Sequence, residues 1–343
     1  MIERLEPDDG AVLSDRRGQL LLVGAVALAI IILGLSIVVN TVLFTENVGT
    51  GEARVEAPAI EEFSFEAQKS ARSLMLRVNG ADRTDSIADV NASIGAQLAN
   101  YSDAVARSYA ASGTVFVDVS YNDTLRNGTR IVQGSDRKFT YPAAHDSGLS
   151  SNRSDWSPVA DPTEVGWMVF NVDLRNTSGQ QTTVELTNDT GATLTYRFNR
   201  SNGGNGADLR IEATNSATGG TESASCESTG GRVLLDMRRG EAFLSECTFP
   251  GIGWIEPPYS VTITKGHRLA GQYDIIVNES WHTAESSTID AEDGGTDRPY
   301  PHCPDGVEEP CLSPVVWQGQ VDLTYRSADV NFATVRNITV YDP

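Results

Sequence analysis

Lysine is almost missing from this chain of 343 residues. Only Lys69, Lys138 and Lys265 are present, and arginine supplies the other positive charges. Acidic residues outnumber Lys plus Arg by 46 to 26, which gives a formal net charge of -20 and a pI near 4.5. Because a chain with this charge repels a phosphate backbone, the composition excludes nucleic acid as a partner.

The motifs of the common enzyme classes are also missing from the sequence. It contains no G-x-S-x-G elbow, no H-E-x-x-H zinc motif, no P-loop and no G-x-G-x-x-G after a strand. Histidine occurs only at positions 145, 267, 282 and 302. We therefore predict no catalytic site and no cofactor. A hydrolase that uses His267 or His282 with a distant serine and aspartate is kept as the last alternative.

One long uncharged segment lies near the N-terminus. From Leu20 to Val39 there are twenty residues without a charge, and a helix of that length covers about 30 Å, the thickness of the hydrocarbon core. The run is longer than the apolar region of a cleavable signal peptide, and no small-residue cleavage site follows it. Arg16 and Arg17 precede the run and the next basic residue is Arg54, so the positive-inside rule predicts a cytoplasmic N-terminus and an external C-terminal part.

The residues around the inner end of this segment, DRRGQLL, resemble the class III, prepilin-type signal of archaeal type IV pilin-like proteins. In that family a membrane peptidase cuts after a basic residue and a glycine. The resemblance therefore implies processing between Gly18 and Gln19, with the hydrophobic helix retained. Gly49, Gly51 and Pro58 follow soon after the span, and these residue types end helices, which favours a simple anchor over a long pilus shaft.

The acidic and lysine-poor composition resembles that of proteins from halophilic archaea, in which dense carboxylates keep the protein solvated in strong brine. Together with the class III signal, it makes the chain similar to an uncharacterised haloarchaeal surface protein.

Two helices are predicted after the span. Apolar residues at helical spacing predict one helix from Phe63 to Val78, ended by Asn79 and Gly80, and a second from an N-cap at Asp85 to Gly113. From Thr114 the apolar period changes to two, and short strand-like runs alternate with turn pairs such as Asn127-Gly128, Asn202-Gly203 and Gly219-Gly220. Two stretches, 143–163 and 286–314, are predicted as long loops.

These patterns predict an α+β fold that is mostly β. It comprises a cytoplasmic leader (1–18), a transmembrane helix (19–44), a helical membrane-proximal region (45–113) with a short hairpin, and an extracellular antiparallel domain that resembles a β-sandwich (114–343).

Asn-x-Ser/Thr sequons begin at ten of the eighteen asparagines, all beyond the span. This excess over chance favours an exported glycoprotein. Asn91 lies at the edge of the apolar stripe of the second helix and is predicted to be occluded. The predicted acceptors are Asn100, Asn122, Asn127, Asn152, Asn176, Asn188, Asn199, Asn278 and Asn337.

All four cysteines also lie beyond the span, at Cys226, Cys247, Cys303 and Cys311. An even number outside the membrane predicts disulfides, with three connectivities open, and we favour the pairs that are near in sequence. A zinc site with His302, Cys303 and Cys311 is the alternative. Hard cations prefer carboxylates on a glycine-containing loop, so Asp290, Glu292, Asp293 and Asp297 are weighed as a calcium loop, although their order does not match an EF-hand.

The leading functional hypothesis is a single-pass, N-glycosylated archaeal surface protein with a structural or binding role. Its partners would be the bilayer, through residues 20–44, and other envelope or pilus proteins. The first alternative is a type IV pilin-like subunit that polymerises through its hydrophobic helix.

Overall fold

The computed structural model describes residues 58–81, 86–143, 150–201, 207–280, 303 and 309–341. The predicted leader and transmembrane helix, residues 1–44, lie outside these ranges. Among the described residues, no helix is both long and apolar enough to cross a bilayer.

Thirteen strands in the described ranges form two antiparallel sheets. The strands are β1 (Phe116–Lys138), β2 (Trp156–Thr163), β3 (Val165–Asp173), β4 (Thr182–Asn188), β5 (Thr193–Ser201), β6 (Asp208–Asn215), β7 (Thr221–Cys226), β8 (Arg232–Asp236), β9 (Glu241–Ala242), β10 (Tyr259–Thr264), β11 (Ala270–Val277), β12 (Cys311–Arg326) and β13 (Asn331–Thr339). The larger sheet has the order β13-β12-β1-β11-β3-β8-β9, and the smaller has the order β2-β10-β4-β5-β6-β7. The prediction of a mostly β, antiparallel and sandwich-like fold is confirmed.

The two sheets face each other across an aromatic-rich core, which we call the sandwich core. Strands β4, β5 and β6 alternate buried residues with more exposed ones over most of their length, as strands with one face on a core do. The ring of Phe170 in β3 lies 5.5 Å from Phe139, 6.1 Å from Phe198 and 6.4 Å from Tyr273, each in an edge-to-face arrangement. Aromatic pairs in this geometry contribute stability beyond that gained by burying their apolar surface, so this cluster stabilises the contact between the sheets.

Two helices cover the other face of the larger sheet, and we call this region the helix-covered end. Residues 58–81 are helical and form α1, and α2 spans Ile87–Ser112. The predicted apolar stripes are buried or half-buried here, against strands β1, β12 and β13. The rings of Phe63, Tyr109 and Tyr325 lie 5.9 to 6.1 Å apart and join α1, α2 and β12. The predicted helical hairpin is confirmed, whereas its predicted N-cap, Asp85, lies outside the described residues.

Strands β1 and β12 run through both regions. They pair from Phe116 with Arg326 to Val132 with Cys311, with register shifts after Tyr121, Thr124 and Arg126. The predicted turn at Asn127-Gly128 is therefore wrong, because both residues lie inside β1. Glycine is needed at position 128 for a different reason. A Cβ atom there would lie 2.7 Å from the carbonyl oxygen of Val277 in β11, so the close approach of this neighbouring strand requires a residue without a side chain.

Asn79 and Gly80 do not end α1, which continues to residue 81. The Asn79 side chain instead binds β12: Oδ1 accepts from the N–H of Val316 at 3.0 Å, and Nδ2 donates to the Val316 carbonyl at 2.8 Å and to the Tyr341 hydroxyl at 3.1 Å. These partners satisfy the amide, so it does not compete with the helical backbone as asparagine usually does.

Both predicted loops contain strand residues. Within 143–163 the chain forms β2, in spite of Pro158 and Pro162, because proline is tolerated in a strand at the edge of a sheet. Within 286–314 the last four residues already belong to β12.

Candidate functional site

Several predicted site residues lie outside the described residues. They are the processing residues Gly18 and Gln19 and the acidic residues of the candidate calcium loop, Asp290, Glu292, Asp293 and Asp297. Within the described part of the chain, no group of three or more His, Cys, Asp or Glu side chains could hold a metal ion.

All four cysteines form disulfides, which confirms that prediction. Cys226 is joined to Cys247 and Cys303 to Cys311, so the pairs are those near in sequence. The Cys226–Cys247 bond links β7, at one edge of the smaller sheet, to the segment that follows β9, at the edge of the larger sheet. A zinc site that uses Cys303 and Cys311 is contradicted, because zinc binds thiolates and both sulfurs are consumed by a disulfide.

The predicted glycosylation sites differ in exposure. Asn91, predicted to be occluded, is half-buried, and its Oδ1 accepts hydrogen bonds from the hydroxyls of Tyr121 and Thr124. Exposed side chains are found at Asn100, Asn122, Asn152, Asn176 and Asn337, and half-buried ones at Asn127, Asn199 and Asn278.

Asn188 differs from the other predicted acceptors because it is 8% exposed and its side chain organises a turn. Its Oδ1 accepts from the N–H groups of Thr190 and Ala192 at 3.2 and 2.9 Å, and its Nδ2 donates to the Glu256 carbonyl at 3.3 Å. A glycan is attached to this same nitrogen. In the folded protein, Asn188 is therefore a poor acceptor, and sequence reasoning missed its structural role.

His267 is the one histidine within the described ranges, and it bears on the hydrolase alternative. It is exposed on a short 3-10 turn, and its Nδ1 is hydrogen-bonded to the Ser154 hydroxyl. The carboxylate of the neighbouring Asp155 accepts the backbone N–H of Lys265 at 2.6 Å. A serine and a histidine are thus in contact on an exposed turn, while the neighbouring Asp155 is hydrogen-bonded to the backbone of Lys265.

The structure places a cavity at one end of the sandwich that sequence reasoning did not predict. Its volume is about 330 Å³, near the lower limit of small-molecule sites. Its apolar wall comes from three distant parts of the chain: the start of β3, the segment that leads into β10 together with the first residue of β10, and the middle of β12. These parts supply Val165, Ile252, Ile255, Tyr259 and Trp317. Gly166 is required here, because a Cβ atom on it would lie 2.6 Å from the Trp317 ring.

The charged groups that line the cavity are a guanidinium and two carboxylates. Arg238 is half-buried and donates from Nη1 to the Gly166 carbonyl at 3.2 Å. Glu164 and Glu256 line the same cavity and are exposed, and Glu164 accepts from Asn278 Nδ2 at 2.6 Å. The cavity thus offers one cation and two anions, which suits a small ligand with an apolar face and a hydrogen-bonding edge.

Tyr259 contributes a hydroxyl to this cavity, but not an acid or a base. Burial raises the pKa of its phenol to about 12, while Arg238 opposes and Glu256 adds to this shift. The hydroxyl already donates to the Ile255 carbonyl at 2.7 Å. Among the described residues, no serine, cysteine or histidine lines the cavity, and its ionisable groups are those of Arg238, Tyr259 and the two glutamates.

Residues 14–183 match the sequence model of DUF7261, a family of unknown function. The match covers just under half of the chain and ends at the second residue of β4, so it includes the apolar segment, both helices and strands of both sheets. No curated protein and no solved structure matches the chain.

Proposed function

We propose that this chain is a membrane-anchored, N-glycosylated surface protein of an archaeal envelope. Its β-rich domain lies outside the membrane and has a structural or binding role, not a catalytic one. The observation that carries the proposal is the oxidation of all four cysteines in two disulfides. Disulfides persist in extracytoplasmic compartments and are rare in a reducing cytosol.

Two further features support the proposal. The apolar segment 20–39 is long enough to span a bilayer and has its nearest arginines on the N-terminal side. The cavity around Arg238 has the largely apolar lining with a few polar groups that is typical of a binding site. The proposed localisation is therefore the cell membrane, with a single span and an external C-terminal domain.

The test is proteomic and uses membranes purified from cells that make the protein. Thiols are alkylated without reductant and again after reduction, and peptides beyond the span are examined for attached sugars. We expect the cysteines to be alkylated only after reduction, and glycans to be found at exposed sequons such as Asn100 and Asn152. Free thiols in freshly isolated protein, or recovery in the soluble cytoplasmic fraction, would contradict the proposal.

The second candidate is a pilin-like subunit, and the observation that favours it is the Arg-Gly-Gln junction directly before the apolar segment. Gly18→Val is compared with Gly24→Val, which changes a glycine inside the segment and leaves the junction intact. If a prepilin peptidase acts here, only the first variant keeps the leader and migrates as a larger product. Equal mobility of both variants and the native chain would count against processing.

A further inference from the structure

Unpaired strand edges are the part of a sheet that other chains bind most easily, and natural proteins usually close them. The two sheets have four edge strands among the described residues: β13 and β9 in the larger sheet, and β2 and β7 in the smaller. These four edges differ in how far they are closed to pairing with another strand.

Three of these edges are closed or unsuitable for pairing. β2 carries Pro158 and Pro162 and pairs irregularly with β10. β9 has only two residues, and its outer side is covered, since Ala242 donates to the Cys247 carbonyl at 3.0 Å. β7 has six residues, includes the acidic Glu222 and ends in a disulfide.

Partly uncovered strands inside the larger sheet are closed by hydrogen bonds from other parts of the chain. The outer edge of the first half of β1 is capped by α2, because the Ser102 hydroxyl accepts the N–H of Val119 at 2.8 Å. The part of β12 beyond the reach of β13 is capped by Asn79 at Val316 and by the N–H of Cys303, which donates to the Leu312 carbonyl at 2.9 Å.

Within the described part of the chain, β13 has none of these devices apart from one long hydrogen bond, in which the Thr334 hydroxyl donates to the Val335 carbonyl at 3.5 Å. Its nine residues, NFATVRNIT, contain no proline, no glycine and no acidic residue in a chain with a net charge of -20. It pairs with β12 over all nine positions without a register shift. Val335, at its centre, is 53% exposed. The strand is therefore regularly paired and locally cationic, and no backbone hydrogen bond from the other described residues closes its outer edge.

Hydrogen bonds at the two ends of β13 show which residues face outward. Val340 donates to the Trp317 carbonyl at 2.9 Å, and Ser327 donates to the Val330 carbonyl at 2.8 Å. In an antiparallel ladder, inward and outward residues alternate. The backbone groups that point away from β12 therefore belong to Asn331, Ala333, Val335, Asn337 and Thr339.

We propose that β13 is a self-association edge, on which a second copy of this chain adds its own β13 in antiparallel orientation about a two-fold axis at Val335. Only this centre pairs all nine residues. It also places outward-facing residues opposite one another: Asn331 with Thr339, Ala333 with Asn337, and Val335 with its counterpart. The β13 strand of a second copy is a suitable partner because Arg336, the single charged residue of the strand, would lie opposite Thr334 and not opposite another arginine.

The helices leave room for this pairing. α1 packs on β12 through Phe63 at Tyr325 and Met75 at Gly319, and its Arg72 donates from Nε to the Val340 carbonyl at 3.0 Å, just beyond the end of β13. In the joined sheet the two β12 strands are three strand spacings apart, about 14 Å. Helices pack at about 8 to 10 Å, so the two copies of α1 would not collide. Glycans on Asn337 would project from the opposite face of the sheet.

The test uses the full-length chain in detergent or nanodiscs, with Val335→Cys compared with Asn331→Cys. Because every native cysteine is in a disulfide, the new residue is the only thiol. On the proposed axis two copies of position 335 are neighbours, whereas two copies of position 331 lie at opposite ends of the joined strands. We expect oxidation to give a disulfide-linked dimer several-fold more readily with Val335→Cys than with Asn331→Cys.

A second variant, Val335→Asp, places two carboxylates face to face on the axis. We expect the native chain to show the mass of a dimer in light scattering and this variant the mass of a monomer, with unchanged circular dichroism as evidence of folding. Equal crosslinking at both cysteine positions, or a monomeric mass for the folded native chain, would overturn the proposal. This outcome would leave the membrane location and the glycosylation untouched.

Discussion

The sandwich core and the helix-covered end share two strands but are held together by different interactions. Between the sheets, aromatic rings pack around Phe170, and a disulfide joins the edges of the two sheets. Under the helices, the apolar stripes are supplemented by side chains that bind backbone groups, such as Asn79 at Val316 and Ser102 at Val119. Arg130 adds a buried link: it pairs with Asp274 at 2.7 Å and donates to the Asn79 carbonyl at 3.2 Å.

This difference implies that the helix-covered end depends on the sandwich core for its stability more than the sandwich core depends on the helices. The helices pack on β1 and β12, and these strands are held in place by β11 and the sandwich core. Among the described residues, the sandwich core includes no residue of α1 or α2. Loss of the helices should therefore leave the sheets largely intact, whereas loss of the core removes the surface on which the helices fold.

The largest effect is expected from truncating one buried leucine in each region. Leu98 of α2 and Leu186 of β4 are both 0% exposed, so either Leu→Ala change should lower the free energy of unfolding by about 2 to 5 kcal/mol. Hydrogen exchange, measured peptide by peptide, shows how far the destabilising effect of each substitution extends through the molecule. Leu98→Ala should speed exchange in α1 and α2 but little in β4 to β6, while Leu186→Ala should speed it in both regions. Equal patterns for the two variants would show that the molecule unfolds as one unit.

The disulfide that joins the two sheets is expected to have the next largest effect. Replacing Cys226 and Cys247 together with serine should cost about 3 kcal/mol in urea unfolding, by the chain-entropy argument for a loop of this length. The matched control replaces Cys303 and Cys311, which close a shorter loop and should cost less. Because β7 and β9 lie far from the helices in the strand order, protection of α1 should persist in the first variant. A larger loss of unfolding free energy on replacing Cys303 and Cys311 than on replacing Cys226 and Cys247 would contradict this prediction.

Asn79→Ala tests the backbone cap of the helix-covered end. The change leaves the N–H and carbonyl of Val316 without these partners in a buried position, which should cost roughly 1 to 3 kcal/mol. Exchange should increase at the end of α1 and in β12. Ser73→Ala on the exposed side of α1 is the control and should be nearly neutral, since Ser73 bonds only within its own helix. If both variants are equally stable, the cap does not hold the helix to the sheet.

Elements with a clear apolar period could be predicted from the sequence. The stripes from Phe63 to Val78 and from Ile87 to Tyr109 face the sheet because burial repeats with the period of the helix. The strands with alternating valine, leucine and isoleucine were also predicted. β7 was missed, since TESASC offers almost no apolar face, and β2 was hidden by its prolines, which an edge strand tolerates.

The cavity could not be predicted, for a different reason. Val165, Arg238 and Trp317 lie more than seventy residues apart in the chain, and only the strand order brings them together. Local periodicity contains no information about such distant contacts. The disulfide pairing and the glycosylation motifs, in contrast, depend on short spacings and could be proposed directly.

The smallest effect expected is an acid-sensitive contribution from Asp173, at the end of β3 in the larger sheet. Its side chain is 2% exposed. Burial opposes its ionisation, but hydrogen bonds from the Arg175 side chain, Asn176 and the Arg175 backbone outweigh this and lower the pKa of the carboxyl below its ordinary value. A carboxyl with a lowered pKa stabilises the fold above its unfolded pKa of about 3.9, and this stability is lost as the pH falls through the folded value.

Asp173→Asn should therefore reduce stability by about 1 kcal/mol at neutral pH, and the difference from the native chain should shrink below about pH 4. Urea unfolding across a pH series measures it, with Asp329→Asn, at an exposed turn, as the control. A difference that stays constant into acid would mean that the charge of Asp173 does not contribute. Because this turn lies on the larger sheet away from α1 and α2, hydrogen exchange in the helices should not follow the same pH dependence.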